Sequence, residues 1–134
     1  MKEEWRELAE INLSKAEKLI SNMEKLSLPT IKSCANVVLK AMNNTASYFK
    51  NMEVNIDRDL LLIRDNNYSK SMEEFIETYF LIKKLNTKKL QKLGHNRLVV
   101  SDWKNNLIVD KKEMLYLIKK ISYLKERLFK LSEM

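Results

Sequence analysis

Asp110-Lys111-Lys112-Glu113-Met114-Leu115-Tyr116-Leu117-Ile118-Lys119-Lys120-Ile121-Ser122-Tyr123-Leu124-Lys125-Glu126-Arg127-Leu128-Phe129-Lys130-Leu131 is the stretch that decides the fold. Met114, Leu117, Ile118, Ile121, Leu124, Leu128 and Leu131 recur at spacings of three and four, which places them on one stripe of a long amphipathic helix. Asp110 and Glu113 fit a capping box, in which each side chain takes a backbone N–H that the first turn leaves unpaired.

Working outward, the same period recurs upstream. A first helix is expected from about Lys2 to Leu26, with Trp5, Leu8, Ala9, Ala16, Leu19, Ile20, Met23 and Leu26 on its apolar stripe. Asn12 interrupts that stripe, and Glu3, Glu4 and Glu7 crowd the first turn, where the helix dipole favours negative charge. Ser27-Leu28-Pro29 is a break and a restart, because proline is tolerated in a first turn. The second helix then runs to about Met52 through Ile31, Ala35, Val38, Leu39, Met42, Ala46 and Phe49, with Ala35, Ala41 and Ala46 leaving room for a close neighbour.

Residues 53–70 are the least regular. Ile56 to Arg64 fits a short helix capped by Asp57, and Leu60 to Ile63 is an apolar patch suited to a dimer contact. Ser71-Met72-Glu73-Glu74 fits a second capping box and opens a third helix carrying Phe75, Ile76, Tyr79, Phe80 and Leu85. Thr87 can cap a short helix from Lys88 to Leu93, ended by Gly94 in the left-handed conformation that glycine tolerates. The expected fold is all-α: one domain over residues 1–134, an up-and-down four-helix bundle with one or two short extra helices.

Composition agrees. One Gly and one Pro in 134 residues argue against a sheet-rich chain with many tight turns, and 45% apolar residues suit a folded globule. A chain of this length buries about two thirds of its unfolded surface and needs no disulfide or metal to hold it. The single cysteine, Cys34, cannot form an internal bridge and reads as a small core residue. The start, Met1-Lys2-Glu3-Glu4-Trp5, is charged, and no apolar run approaches about 20 residues, so no membrane segment and a cytoplasmic location are expected.

Several chemistries are excluded by missing residue types. One His and one Cys make no zinc site. There are no Glu-x-x-His pairs for a di-iron bundle, and too few glycines for a phosphate loop, a dinucleotide fold or a nucleophile elbow. No metal and no cofactor are expected.

Charge is uneven. Residues 1–80 carry 11 basic and 13 acidic side chains, net −2, whereas residues 81–134 carry 14 basic and 5 acidic, net +9. A basic half on a near-neutral half suggests a surface for a polyanion. A lysine-rich solvated face is the competing explanation, since only Arg97 and Arg127 among those 14 are arginine, the better phosphate fork.

Chemical variety is concentrated in Gly94-His95-Asn96-Arg97-Leu98-Val99-Val100-Ser101-Asp102-Trp103, which holds the only Gly, the only His and one of two Trp. His95 is either a lone acid–base group or a loop histidine bonded to backbone. Trp103 and Tyr116 either stack on bases or close the end of the bundle.

Residues of about 68–130 resemble the second half of a HEPN domain, especially the toxin subunit paired with minimal nucleotidyltransferases. That family places a Gly-aromatic-Arg-Asn turn after a helix pair, then an apolar triplet, then His, an acidic residue and an aromatic. Here Leu93-Gly94-His95-Asn96-Arg97-Leu98-Val99-Val100-Ser101-Asp102-Trp103 occupies that stretch, followed by Val109-Asp110 and Met114-Leu115-Tyr116-Leu117-Ile118. Without gaps, Asn96 takes the family's Arg position and Ser101 its His position, while Asp102 and Trp103 fit the acidic–aromatic pair. Shifting by one residue aligns Asn96-Arg97-Leu98-Val99 and leaves His95 at the Arg position and Val100 at the His position. Neither frame yields an Arg followed by a His four to six residues on, which the nuclease chemistry needs for proton transfer and phosphate clamping.

The resemblance therefore implies a non-catalytic HEPN-like bundle, a homodimeric interaction or RNA-binding module, with a nucleotidyltransferase as a possible partner protein. Arg97, Lys104, Lys88, Lys89, Lys92 and Trp103 are the residues expected to face RNA or another polyanion. Two alternatives stay open: a metal-independent ribonuclease using His95, Arg97 and Asp102, and a small helical subunit docked through Leu60–Ile63.

Overall fold

Asp110 does what its position predicts. Its carboxylate accepts the Glu113 N–H at 2.7 Å, and the helix it starts runs Lys111–Ser132. In the computed structural model, residues 2–53, 56, 69–87, 90–92, 94, 97–101 and 106–133 are described. They form helices α1 (Lys2–Ser21), α2 (Leu28–Lys50), α3 (Ser69–Thr87) and α4 (Lys111–Ser132), with a three-stranded sheet, β1 (Leu90–Lys92), β2 (Leu98–Ser101) and β3 (Asn106–Val109), between α3 and α4. Of the short helix expected at Ile56–Arg64, Ile56 alone is described, and it is buried; the rest, with the Leu60–Ile63 patch, lies outside the described residues.

The break at Ser27-Leu28-Pro29 is a helix start of the expected kind. Ser27 is extended, its hydroxyl accepts the Thr30 N–H at 3.4 Å, and Pro29 sits in the first turn, where its missing N–H costs nothing. Asn51 closes α2 in the left-handed conformation, at φ 52°.

Three expectations are corrected. First, α1 stops at Ser21 rather than Leu26. The Asn22 and Met23 N–H groups fold back onto Lys18 and Ile20, and the ammonium of Lys111 takes the carbonyls of Ser21 (3.1 Å) and Met23 (3.2 Å). A cation from α4 thus satisfies acceptors that the end of α1 leaves free. Second, α3 begins at Ser69, so Ser71 is inside the helix. Its hydroxyl accepts from Arg127 Nε at 2.9 Å instead of capping.

Third, the short helix expected at Lys88–Leu93 is not formed: Leu90–Lys92 is β1, which pairs antiparallel with β2 in the register Leu90↔Val100 and Lys92↔Leu98. β2 pairs with β3 in the register Leu98↔Val109 and Val99↔Ile108. The Thr87 hydroxyl donates back to the Lys83 carbonyl at 2.9 Å. Apolar, β-branched triplets at 98–100 and 107–109 are at home in strands. Gly94, at φ 72°, lies between β1 and β2, so its left-handed backbone serves a strand connection rather than a helix end.

Contacts between the helices fix their directions. Asn12 on α1 donates to Asn44 on α2 (2.8 Å), and Cys34 Sγ to the Ala16 carbonyl (3.6 Å), so α1 and α2 run antiparallel. Lys111 meets the end of α1, while Arg6 near its start meets Glu133 beyond the end of α4 (3.2 Å). Arg127 on Ser71 sets α4 antiparallel to α3, and α2 also packs on α3.

The core follows the period. In α1 it is Ala9, Leu13, Ala16 and Ile20; Leu13 joins the predicted stripe and Leu8, 41% exposed, leaves it. The sheet caps one end of the helices by alternation: Leu98 and Val109 are fully buried in the common core, whereas Ile108 is 46% exposed. Burying a side chain such as Leu98 contributes about 1.5–3 kcal/mol. Among the described residues, no helix is long and apolar enough to cross a membrane.

Candidate functional site

β3 runs directly into Asp110, so the sheet places the first turn of α4 beside the loop that leaves α1. Lys111 and Lys112 there face Met23, Glu24 and Leu26, and Arg97, the residue before β2, completes a groove of about 550 Å³. An adjoining groove of about 510 Å³ shares Lys111 and Lys112 and continues along α4 past Leu115, Tyr116 and Lys119.

The charges in these grooves have different duties. Asp110 is committed to the Glu113 N–H and Lys111 to two carbonyls of the α1 end, so both hold the fold. Arg97 and Lys112 are exposed. Glu24 offsets part of the positive charge in the first groove; the second holds three lysines and no acid. The arrangement can hold an anion against exposed cationic side chains.

Of the residues expected from the sequence, Arg97 lies in the groove, and Lys92 is exposed at the end of β1, opposite Leu98. Ser101 ends β2, paired with Asn106. His95, Asn96, Asp102, Trp103, Lys104, Lys88 and Lys89 lie outside the described residues. Lys111, Lys112 and Lys119 were not singled out by sequence reasoning. Only the return of β3 toward the α1 end brings Lys111 and Lys112 beside Arg97, and nothing in their spacing announces that.

Two other places hold reactive or charged groups. Cys34 is buried, and loss of hydration pushes its thiol up to about 12, so it is no nucleophile near neutral pH. Lys125 is buried at the α1–α4 interface, where its ammonium meets Glu10 and also Glu126 at 2.7 Å, and lies 5.3 Å from the centre of the Phe129 ring. Arg6 stacks over the Phe129 ring at 4.6 Å and pairs with Glu126 (3.7 Å). The hydrogen bond from Lys125 holds the Glu126 carboxyl below its ordinary range, against the opposing effect of burial. This network joins α1 to α4.

A further groove, about 710 Å³, follows α1 past Ile11, Ser14, Lys15 and Lys18, but Glu10 on its wall is committed to Lys125. Among the described residues, no three His, Cys, Asp or Glu side chains are grouped to hold a metal ion. No protein-family model, no curated protein and no solved structure matches this chain.

Proposed function

We propose that this chain is a cytoplasmic, HEPN-like up-and-down four-helix bundle that holds RNA or a similar polyanion without cutting it. The observation that carries the reading is the meeting of Arg97 with Lys111 and Lys112 in one groove, in the half of the chain whose net charge is +9. Lysine and arginine side chains on a rigid end of a bundle attract phosphates by charge and release counterions on binding. Catalysis is not part of the proposal, because the chain has no Arg followed by His at the family's nuclease spacing and its one thiol is buried and protonated.

Homodimerisation near the 94–103 loop and pairing with a nucleotidyltransferase belong to the same proposal and rest on the resemblance alone. Filter binding of a labelled RNA at low and high salt tests the central claim. Binding is expected at low salt, weakening steeply as salt rises, and Arg97→Ala is expected to weaken it several-fold. No retention of RNA at low salt removes the reading.

A further inference from the structure

The solvent face of α4 carries a pattern of its own. Lys112, Tyr116, Lys119, Tyr123 and Lys130 are all exposed and follow one another at helical spacings, so they share one stripe. Tyr116 is 56% and Tyr123 62% exposed. Neither ring fills the core or meets another ring, and no hydrogen bond or ion pair engages these five side chains among the described residues. α4 holds seven basic and two acidic residues, and Glu126 is committed to Lys125 and Arg6.

We propose that this stripe is a track for single-stranded nucleic acid, with the bases stacking on Tyr116 and Tyr123 and the phosphates running along Lys112, Lys119 and Lys130. The proposal rests on the polyanion reading above and adds the strand type and the residues. The stripe spans about 27 Å at 1.5 Å per residue, and the two rings are about 10 Å apart. That separation is about three base-to-base steps of 3.4 Å. Aromatic platforms interleaved with cations suit an unpaired strand, because every base has a face to stack and a duplex keeps its faces covered. The track begins at Lys112, in the groove that holds Arg97, so the two surfaces are continuous. A second copy of this chain is a poor occupant, since a two-fold contact would set lysine stripes against each other.

The test is fluorescence anisotropy with the full chain and a labelled 12-nucleotide oligouridine, compared with a duplex of equal length, at several salt concentrations. Tyr116→Ala/Tyr123→Ala is expected to weaken single-strand binding about 30-fold or more, and Tyr116→Phe/Tyr123→Phe to restore it. Lys112→Ala/Lys119→Ala/Lys130→Ala is expected to lower the slope of log affinity against log salt by about 2. Circular dichroism verifies that the variants, all at exposed positions, stay folded.

If the wild type binds, Arg97→Ala weakens binding and the tyrosine variant binds like wild type, the track is wrong while the polyanion reading stands. Equal affinity for duplex and single strand, or binding only to vesicles rich in phosphatidylserine, overturns the track as well. If the wild type binds no nucleic acid at low salt, both fall.

Discussion

Lys125 lies fully buried on α4, and its ammonium is held by the carboxylate of Glu10 across the interface with α1. Glu10 is largely exposed, so the carboxylate stays partly hydrated while the ammonium does not. The cost of burying a cation is met by its partners, and that cost reappears when the partners are removed. Glu10→Ala/Glu126→Ala, which leaves the ammonium buried and unpaired, is expected to destabilise the protein by about 3–5 kcal/mol. Lys125→Met keeps the packing and removes the charge, and is expected to fall within about 1 kcal/mol of wild type. Urea unfolding measures both, and equal losses would contradict the pairing.

Glu126 titrates below its ordinary value of 4.5 in the folded protein, chiefly through the hydrogen bond from Lys125. A carboxyl with a lowered folded pKa stabilises the fold above its unfolded value and loses that contribution as pH falls through the folded one. Unfolding free energy is therefore expected to hold steady above about pH 5 and decline at lower pH. Glu126→Gln is expected to make the acid limb shallower. An unchanged limb in the variant would assign the acid sensitivity to other groups.

Cys34 presents the opposite sign. Burial raises its thiol from 9.0 to about 12, so the neutral form is favoured in the fold and its contribution is complete below pH 9 and lost as pH rises beyond it. In native protein at pH 8 the thiol is expected to resist an aromatic disulfide reagent for hours and to react at once in denaturant. Rapid reaction in the native state would mean that the α1–α2 interface opens.

Leu98 and Ile108 sit on neighbouring strands with opposite surroundings. Leu98 is fully buried and Ile108 is 46% exposed. Leu98→Ala is expected to cost about 2–5 kcal/mol, and Ile108→Ala no more than about 0.5 kcal/mol. Thermal melting of the two variants tests whether the sheet is a structural part of the core; similar melting temperatures would show that it is not.

Much of the helical frame was legible because its signals are local. The Asp110 cap lies within three residues of the N–H it accepts, and the stripe from Met114 to Leu128 needs only the helical period to be seen. The restart at Ser27-Leu28-Pro29 was legible for the same reason. The candidate site was legible in part: Arg97 was identified by its charge, but its neighbours Lys111, Lys112 and Met23 come from distant segments.

By itself, then, the sequence determined the cap at Asp110, the restart at Ser27-Leu28-Pro29, most of the apolar stripes and the bias of positive charge toward the C-terminal half, since each depends on residues close together in the chain. Tertiary structure alone decided the rest. Residues 90–92 formed a strand rather than a helix because 98–101 came back to pair with them. α1 ended at Ser21 because Lys111 arrived to take its carbonyls. Lys125 was buried rather than solvated because Glu10 stood opposite. In each case a hydrogen-bonding or charged partner far away in sequence changed the balance, and local propensity is too weak to oppose it.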